Sequence, residues 1–224
     1  MPYSSPKQSR GRIHKTFDQQ ESELASLKSD FLRLREAGYE VVQYDQCQLN
    51  LNHQQKSYVH QGQLDTPESI AVCVGISEES GSVSFMSKAK KALNGADMAE
   101  YFQWVRDSFG PGVKLAAFGD NASINRCRVA REACQSESAD ITLIYNVTYR
   151  SDLLGVHDVW ESLKKRHKFE IDELISRGEV IDHMKVVNDV LRKLQPSVLK
   201  VIAKKGWKKL EKGRPVSELK SAQM

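Results

Sequence analysis

The alternation of apolar and polar positions predicts strands in the first two thirds of the chain and helices in the last third. Apolar and β-branched runs predict five strands, at residues 39–44, 70–76, 82–86, 113–118 and 141–145. Apolar residues at helical spacing predict helices at residues 18–37, 96–109 and 123–135. From residue 151 the pattern is helical almost to the end, with breaks expected near Gly178, Pro196, Gly206 and Gly213.

This order of elements predicts one mixed α/β domain with extensions at both ends. We expect a basic, flexible arm over residues 1–17, the α/β domain over residues 18–175, and a helical, basic extension over residues 176–224. Trp104 and Trp160 lie on apolar helix faces and are predicted to be core residues.

The charge of the chain is concentrated at its two ends. The net charge is +4, and the arm has Lys and Arg residues but no acid, whereas residues 185–214 hold ten Lys or Arg against Asp189 and Glu211. An acidic body with basic ends favours contact with a polyanion, nucleic acid first, and a solvated tail and helix face is an equal alternative. The predicted nucleic-acid contacts are Arg10, Arg12, Lys15, Lys204, Lys205, Lys208 and Lys209.

Several classes of protein are disfavoured by what the sequence lacks. No stretch approaches the ~20 apolar residues of a membrane span, so no membrane contact is expected. The four cysteines form no CxxC pair, which favours a reducing compartment, and the six histidines show no paired metal-ligand spacing. Neither a phosphate-binding glycine loop nor a GxSxG motif is present. We therefore expect no cofactor and no separate metal site.

Two aspartates draw attention because each follows a predicted strand. Asp45 comes directly after the first strand, and Asp120 follows the strand at residues 113–118. Sites in sheet proteins are built at the carboxyl ends of strands, where the backbone is fixed and side chains face a ligand. Taken alone, each is more often a loop or cap residue.

Four stretches form a combined pattern in which the second aspartate motif and the last stretch are the most specific. They are residues 41–45 (VVQYD), Asn94-Gly95 with the helix up to Phe109, residues 118–124 (FGDNASI), and residues 149–160 (YRSDLLGVHDVW) with Leu163-Lys164. Together they resemble the catalytic domain of mariner-type DDE-superfamily transposases, over roughly residues 20–170.

The resemblance implies an α/β, RNase H-like mixed sheet flanked by helices, here with the helical basic extension behind it. The chemistry of that family needs three carboxylates around two divalent metal ions. The resemblance assigns the first two acids to Asp45 and Asp120. An ungapped alignment of the last stretch places His157 at the position of the third acid, with Asp158 next to it.

This chain departs from the family pattern at the residues that matter for catalysis. A neutral imidazole at His157 does not bridge hard Mg²⁺ ions as a carboxylate does. One residue along a helix rotates a side chain by about 100°, so we expect Asp158 to point away from the two aspartates. Gln46 and Asn125 replace a Glu and a His of the family motifs. We therefore expect a degenerate triad, no catalytic residue and no bound metal.

Three functions follow from these expectations. The first is a catalytically inactive, domesticated transposase domain in the nucleus, which contacts DNA non-specifically and serves with other protein subunits in a DNA-acting complex. The resemblance suggests, as one setting, the accessory subunit of a ciliate DNA N6-adenine methyltransferase complex. The second is an active, Mg²⁺-dependent transposase or endonuclease in which Asp158 is the third acid. The third is a stand-alone nucleic-acid-binding protein.

The basic extension is where we expect partner contacts. Apolar residues recur at helical spacing from Val186 to Leu199, and beyond them lysines alternate with apolar residues up to Lys212. Trp207 lies inside a lysine cluster, and with Leu210 it is predicted to bind a partner protein. Packing of Trp207 on the chain's own helices is the equal alternative.

Overall fold

A computed structural model describes residues 16–51, 68–81, 83–147 and 150–212 of the chain. Five strands are present in this part: β1 (Glu40–Asn50), β2 (Ser69–Ser77), β3 (Val83–Lys88), β4 (Leu115–Gly119) and β5 (Ile141–Tyr145). Six α-helices accompany them: α1 (Phe17–Glu36), α2 (Gly95–Asp107), α3 (Arg128–Gln135), α4 (His157–Ser176), α5 (His183–Arg192) and α6 (Pro196–Lys212). A short 3₁₀ turn, Ser151–Leu153, precedes α4. None of the described helices is both long and apolar enough to cross a membrane.

The five strands form one mixed sheet in the order β3-β2-β1-β4-β5. β1 pairs antiparallel with β2 and parallel with β4, and β4 pairs parallel with β5. The strand β1 is therefore central, with β4 directly beside it. The fold class expected from the order of elements, a mixed sheet flanked by helices, is confirmed.

Helices cover both faces of the sheet and bury β2 and β4 along their whole length. One core lies under α1, α4, α5 and α6 and includes Phe31, Val72, Trp160 and Trp207. A second core lies under α2 and α3. Since α5 and α6 share the first core with the sheet, the boundary expected at residues 175 and 176 does not separate two cores.

A buried glutamine joins the centre of the sheet to the last helix. Gln43 on β1 is 1% exposed. Its amide nitrogen donates to the carbonyl oxygen of Ala203 at 3.0 Å, and its amide oxygen accepts from the backbone N–H of Gly155 at 2.8 Å. The side chain thus holds α6 and the segment before α4 against β1.

Two glycines make this close approach possible. A Cβ at Gly206 would lie 2.7 Å from the backbone nitrogen of Gly155 and 2.8 Å from the carbonyl oxygen of Leu153. A Cβ at Gly155 would collide with the carbonyl oxygen of Ile202. The backbones of α6 and of the segment before α4 therefore touch directly, and only residues without a side chain fit between them.

Four sequence expectations need correction. The first strand continues to Asn50, so Asp45 lies in mid-strand, although its parallel pairing with β4 has already ended at Gln43. Gly206 does not break a helix, because it lies inside α6 at a packing contact. The helix expected from residue 123 begins only at Arg128. Trp104 is 43% exposed and is not a core residue.

Two buried histidines face each other where α4 packs on α5. His167 and His183 are 5% and 2% exposed, and Nδ1 of His183 lies 3.4 Å from Nε2 of His167. Burial, together with the neighbouring His183, lowers the pKa of His167 to about 4, and burial also lowers the pKa of His183. Both rings are therefore neutral at neutral pH.

We expect Gly206→Ala to destabilise the fold, although alanine is the better helix former by ~1 kcal/mol. The added methyl group must displace the backbone of Gly155 or Leu153, which costs roughly 1–3 kcal/mol in the free energy of unfolding. Gly110→Ala is the matched control, because a Cβ there meets nothing within 4 Å. Urea denaturation of both variants checks this. Equal stability of the two would contradict the close contact.

We expect the chain to lose stability as the pH falls from about 6.5 towards 4. The unfolded chain protonates His167 near pH 6.5, whereas the folded chain resists protonation down to about pH 4. The free energy of unfolding should therefore drop by about 2 kcal/mol between pH 7 and pH 5 on account of this residue. His167→Leu should flatten that slope, which urea denaturation at several pH values measures.

Candidate degenerate active site

The central strand places successive side chains on opposite faces of the sheet. Gln43 and Asp45 face α4 and α6, where their hydrogen-bond partners lie. Tyr44 and Gln46 face α2, through an edge-to-face contact with Phe102 and a contact with Met98. Asp45 therefore lies two residues beyond Gln43 on the same face of the sheet, where the first turn of α4 packs over it.

Asp45 is held by two side chains from the start of α4. The indole Nε1 of Trp160 donates to Oδ2 of Asp45 at 2.8 Å. Nε2 of His157 lies 3.5 Å from the same oxygen, and it has no hydrogen-bond partner among the described residues. The Asp45 side chain is 13% exposed and that of His157 is 40% exposed. The position that the resemblance assigns to the third acid thus faces Asp45 with an imidazole.

The surroundings of Asp45 disfavour its charged form. Burial raises its pKa above the ordinary value for an aspartate, and the nearby charge of Asp120 raises it further. The hydrogen bond from Trp160 and the proximity of His157 act in the opposite direction without overcoming burial. Asp45 lies on β1 and Asp120 directly follows β4, so the two aspartates come from neighbouring strands of the sheet.

Asp120 is held by a different set of donors, from the loop that follows β4. It follows the last residue of β4, and its Oδ1 accepts from the backbone N–H of Ala122 at 3.3 Å and from the side-chain amide of Asn125. Asn125 is 1% exposed, and its own Oδ1 accepts from Nε2 of Gln46 at 2.8 Å. Its carbonyl oxygen accepts from the hydroxyl of Tyr145 at 3.1 Å.

Gln46 and Asn125 are therefore partners. Both replace residues of the family motifs, and in this fold their amides bridge β1 and the loop after β4. The chain thus supplies neutral donors to Asp120 from one side and to Asp45, through Trp160, from the other.

Asp158 points away from this cluster. Its Oδ2 lies 3.2 Å from Nζ of Lys205 on α6, and both side chains are about half exposed. Helix α4 begins at His157. Because successive residues of a helix are rotated by about 100°, the side chains of His157 and Asp158 point in different directions.

The donor set does not fit the pair of divalent ions that the fold family uses. Within the described residues, no three His, Cys, Asp or Glu side chains come together as metal ligands. Asp45 and Asp120 accept hydrogen bonds from the chain itself, and the third position holds a nitrogen ligand where Mg²⁺ requires oxygen. We derive no metal-dependent step from this site.

The structure places the other predicted site residues in three different settings. Arg10, Arg12 and Lys15 lie outside the described residues. Lys204, Lys205, Lys208 and Lys209 are all exposed on α6. Trp207 and Leu210 are buried, at 4% and 2% exposure. Trp207 and Leu210 were predicted to bind a partner protein, but they face the chain's own core instead. The Trp207 ring packs edge-on against Phe31.

Three functional contacts were missed in the sequence. Trp160 was expected to be a core residue only, yet it also donates to Asp45. Gln43 carried no signal except a polar residue within a buried strand, which is itself informative because buried amides need partners. Gln46 and Asn125 were noted as departures, but spacing alone does not show that they bond to each other.

Comparison with known proteins shows the fold and no closer relationship. No family model matches the sequence, and no curated protein matches it. The isolated catalytic domain of Mos1 mariner transposase matches with a TM-score of 0.55 and 12% identity, over 94% of both chains. A Mos1 paired-end complex with the left transposon end matches with a TM-score of 0.57 and 16% identity, over 93% of this chain.

A retroviral assembly shares the same core. An intasome of simian T-cell lymphotropic virus, in complex with the PP2A regulatory subunit B56 gamma, matches with a TM-score of 0.52 and 15% identity over 69% of this chain. The chain spans 47% of that protein and 65% of the Mos1 chain in the paired-end complex. The expected RNase H-like fold of the DDE type is confirmed, at low sequence identity.

We expect Asp45→Asn to raise the free energy of unfolding at pH 7. The native carboxyl keeps its proton to a higher pH than the unfolded one, so its contribution to stability falls as the pH rises through the native pKa. Asparagine still accepts the Trp160 hydrogen bond and carries no charge. The gain should therefore vanish on acidification below about pH 4. Asp158→Asn, which removes only an exposed ion pair, is the control and should change little.

Proposed function

We propose that this chain is a catalytically inactive, transposase-like subunit that contacts DNA within a nuclear DNA-acting complex. The observation that carries the proposal is the pairing at the start of α4: His157 faces Asp45, and Asp158 is turned to Lys205. A DDE site needs its third carboxylate where this chain has an imidazole.

The absence of a third acid is reinforced by the partners of the other two. An active two-metal site leaves carboxylate oxygens available to the ions. Here one oxygen of Asp45 is bonded to an indole, and one oxygen of Asp120 to a buried amide that is fixed in turn by Gln46. A metal ion that took either of these bonded oxygens would break its contact and leave a buried donor unpaired.

DNA contact is supported by the charge of α6 and by what structural relatives bind. The Mos1 paired-end complex contains a transposon end. On α6, Lys205 is paired with Asp158. Lys204 lies near Glu78: burial raises the pKa of Glu78, and the charge of Lys204 acts to lower it. Among the described residues no carboxylate pairs with Lys208 or Lys209. These two are the best-placed phosphate contacts.

We infer membership in a complex because an inactive domain can still serve as a structural subunit. A catalytically inactive domain with one basic helix offers few phosphate contacts of its own. A supporting role beside other protein subunits is therefore favoured over stand-alone binding of nucleic acid. An accessory role in a DNA N6-adenine methyltransferase complex is one such setting, and it stays a prediction.

We expect the purified chain to show no metal-dependent DNA cleavage and no Mn²⁺ binding at this site. Isothermal titration with Mn²⁺ and Mg²⁺, and a nicking assay on supercoiled plasmid, measure both. Asp45→Asn and Asp120→Asn are the controls. Cleavage that needs metal and is lost in both variants would establish the active alternative, with Asp158 as the candidate third acid.

We expect Lys208→Glu with Lys209→Glu to weaken DNA binding at least tenfold, because two phosphate contacts become repulsive. Fluorescence anisotropy with a labelled duplex measures the change, and the salt dependence should become shallower by about two contacts. Arg192→Glu with Lys193→Glu reverses the same charge on α5, where both side chains are already paired with acids. Equal losses in the two double variants would show that only net charge matters and would remove α6 as the DNA surface.

A further inference from the structure

The outer face of α6 carries a stripe that is apolar at one end and basic at the other. Its members recur every three or four residues and therefore share one side of the helix: Val198, Val201, Lys205, Lys208 and Lys212. The two valines are 49% and 57% exposed, although valine is among the residues most often buried. We call this surface the α6 stripe.

The α6 stripe contains no acid, and although Lys205 is paired with Asp158 on α4, Lys208 and Lys212 have no carboxylate partner among the described residues. The single acidic residue of α6, Glu211, lies 3.5 Å from Arg35 on α1 and so points to another side. The opposite face of α6 is fixed in the core by Leu199, Ala203 and Trp207. The stripe is therefore a rigid surface, with its apolar part near the start of the helix and its positive part near the end.

A groove of complementary character lies between α4 and α5. Its cavity measures about 390 Å³. The apolar lining residues are Leu174, Val180, Val186 and Val190. The acidic lining residues are Glu170, Glu179, Asp182 and Asp189, against two basic ones, Lys185 and Lys193. We call this surface the α4–α5 groove, and its lining is net negative.

The groove exposes an apolar side chain and acidic side chains whose ion pairs are weak. Val180 is 67% exposed, the highest value among the exposed large apolar side chains of the described residues. Glu179 pairs with Arg177 at 3.0 Å and Glu170 with Lys193 at 3.5 Å, in both cases between solvent-exposed side chains. Such exposed pairs contribute little and exchange readily for another cation.

We propose that the α6 stripe of one copy of this chain docks in the α4–α5 groove of a second copy. Val198 and Val201 cover the apolar floor beside Val180, and the lysines that follow them meet the acidic rim. The two surfaces differ, so the contact is head-to-tail: each docked pair keeps one free stripe on one copy and one free groove on the other, and association continues into longer assemblies instead of closing as a symmetric dimer. This goes beyond the DNA-contacting role proposed above.

A second copy explains both surfaces with a single occupant. A nucleic acid complements the lysines of the stripe but is repelled by the acids that line the groove, so it does not account for both surfaces. The complementary order of apolar and charged residues on stripe and groove belongs to one chain, so the partner is present wherever the chain is. The contact has an electrostatic part and is expected to weaken with salt.

Analytical ultracentrifugation of the purified chain without DNA tests the proposal. We expect the weight-average mass to rise continuously with concentration at low salt, past that of a dimer, and to fall back towards a monomer at about 0.5 M NaCl. A monomer at every concentration would overturn the proposal, and so would association that stops at a dimer or that requires an added duplex.

Two one-sided variants make the test specific. The stripe variant is Val201→Ser with Lys208→Glu, and the groove variant is Val180→Ser with Glu179→Lys. Each should self-associate at least tenfold more weakly than the wild type, because only one of its two surfaces is intact. Mixed in equal amounts, they should form a dimer that grows no further, since each supplies the surface that the other lacks.

Phe169→Ser is the matched control for loss of an exposed apolar side chain. Phe169 lies on α4, is 63% exposed and lines neither surface. Association should be unchanged in this variant, and circular dichroism should show all variants folded. A mixture of the two one-sided variants that stays monomeric, or a control that loses association equally, would overturn the head-to-tail contact.

Discussion

The side-chain amide of Gln43 is the contact on which the arrangement of the site depends. It satisfies a carbonyl of α6 and an N–H of the segment before α4 at the same time, inside a core where an unpaired amide would cost about 1–3 kcal/mol. The contact is only reachable because Gly155 and Gly206 let the two backbones touch. The position of α4 relative to β1 is thus set by α6.

That position decides what meets Asp45. With the segment before α4 fixed two residues ahead of His157, the first turn of the helix directs His157 and Trp160 at the carboxylate and sends Asp158 to Lys205. Gln46, on the face towards α2, donates to Asn125, which in turn donates to Asp120. These elements thus position neutral donors around the two aspartates.

The sequence predicted the order of elements and the position of each aspartate near a strand, because apolar runs and motif order are local signals. It failed where the outcome depends on distant contacts. Because Gln46, Gln48 and Asn50 are polar, the second half of β1 was not predicted to be a strand. Its pairing with β2 keeps it in the sheet. The lysines around Trp207 suggested a surface, whereas Phe31 and Arg35 on α1 supply the packing that buries the ring. Gly206 looked like a helix break because its backbone contact with Gly155 is invisible in sequence.

A crystal structure of the chain soaked in Mn²⁺, with anomalous data, decides whether the site at Asp45 and Asp120 binds metal. We expect no anomalous peak between Asp45 and Asp120, and an intact hydrogen bond from Trp160 to Asp45. A manganese ion bridging the two aspartates, with Asp158 or His157 as a third ligand and Trp160 displaced, would contradict it.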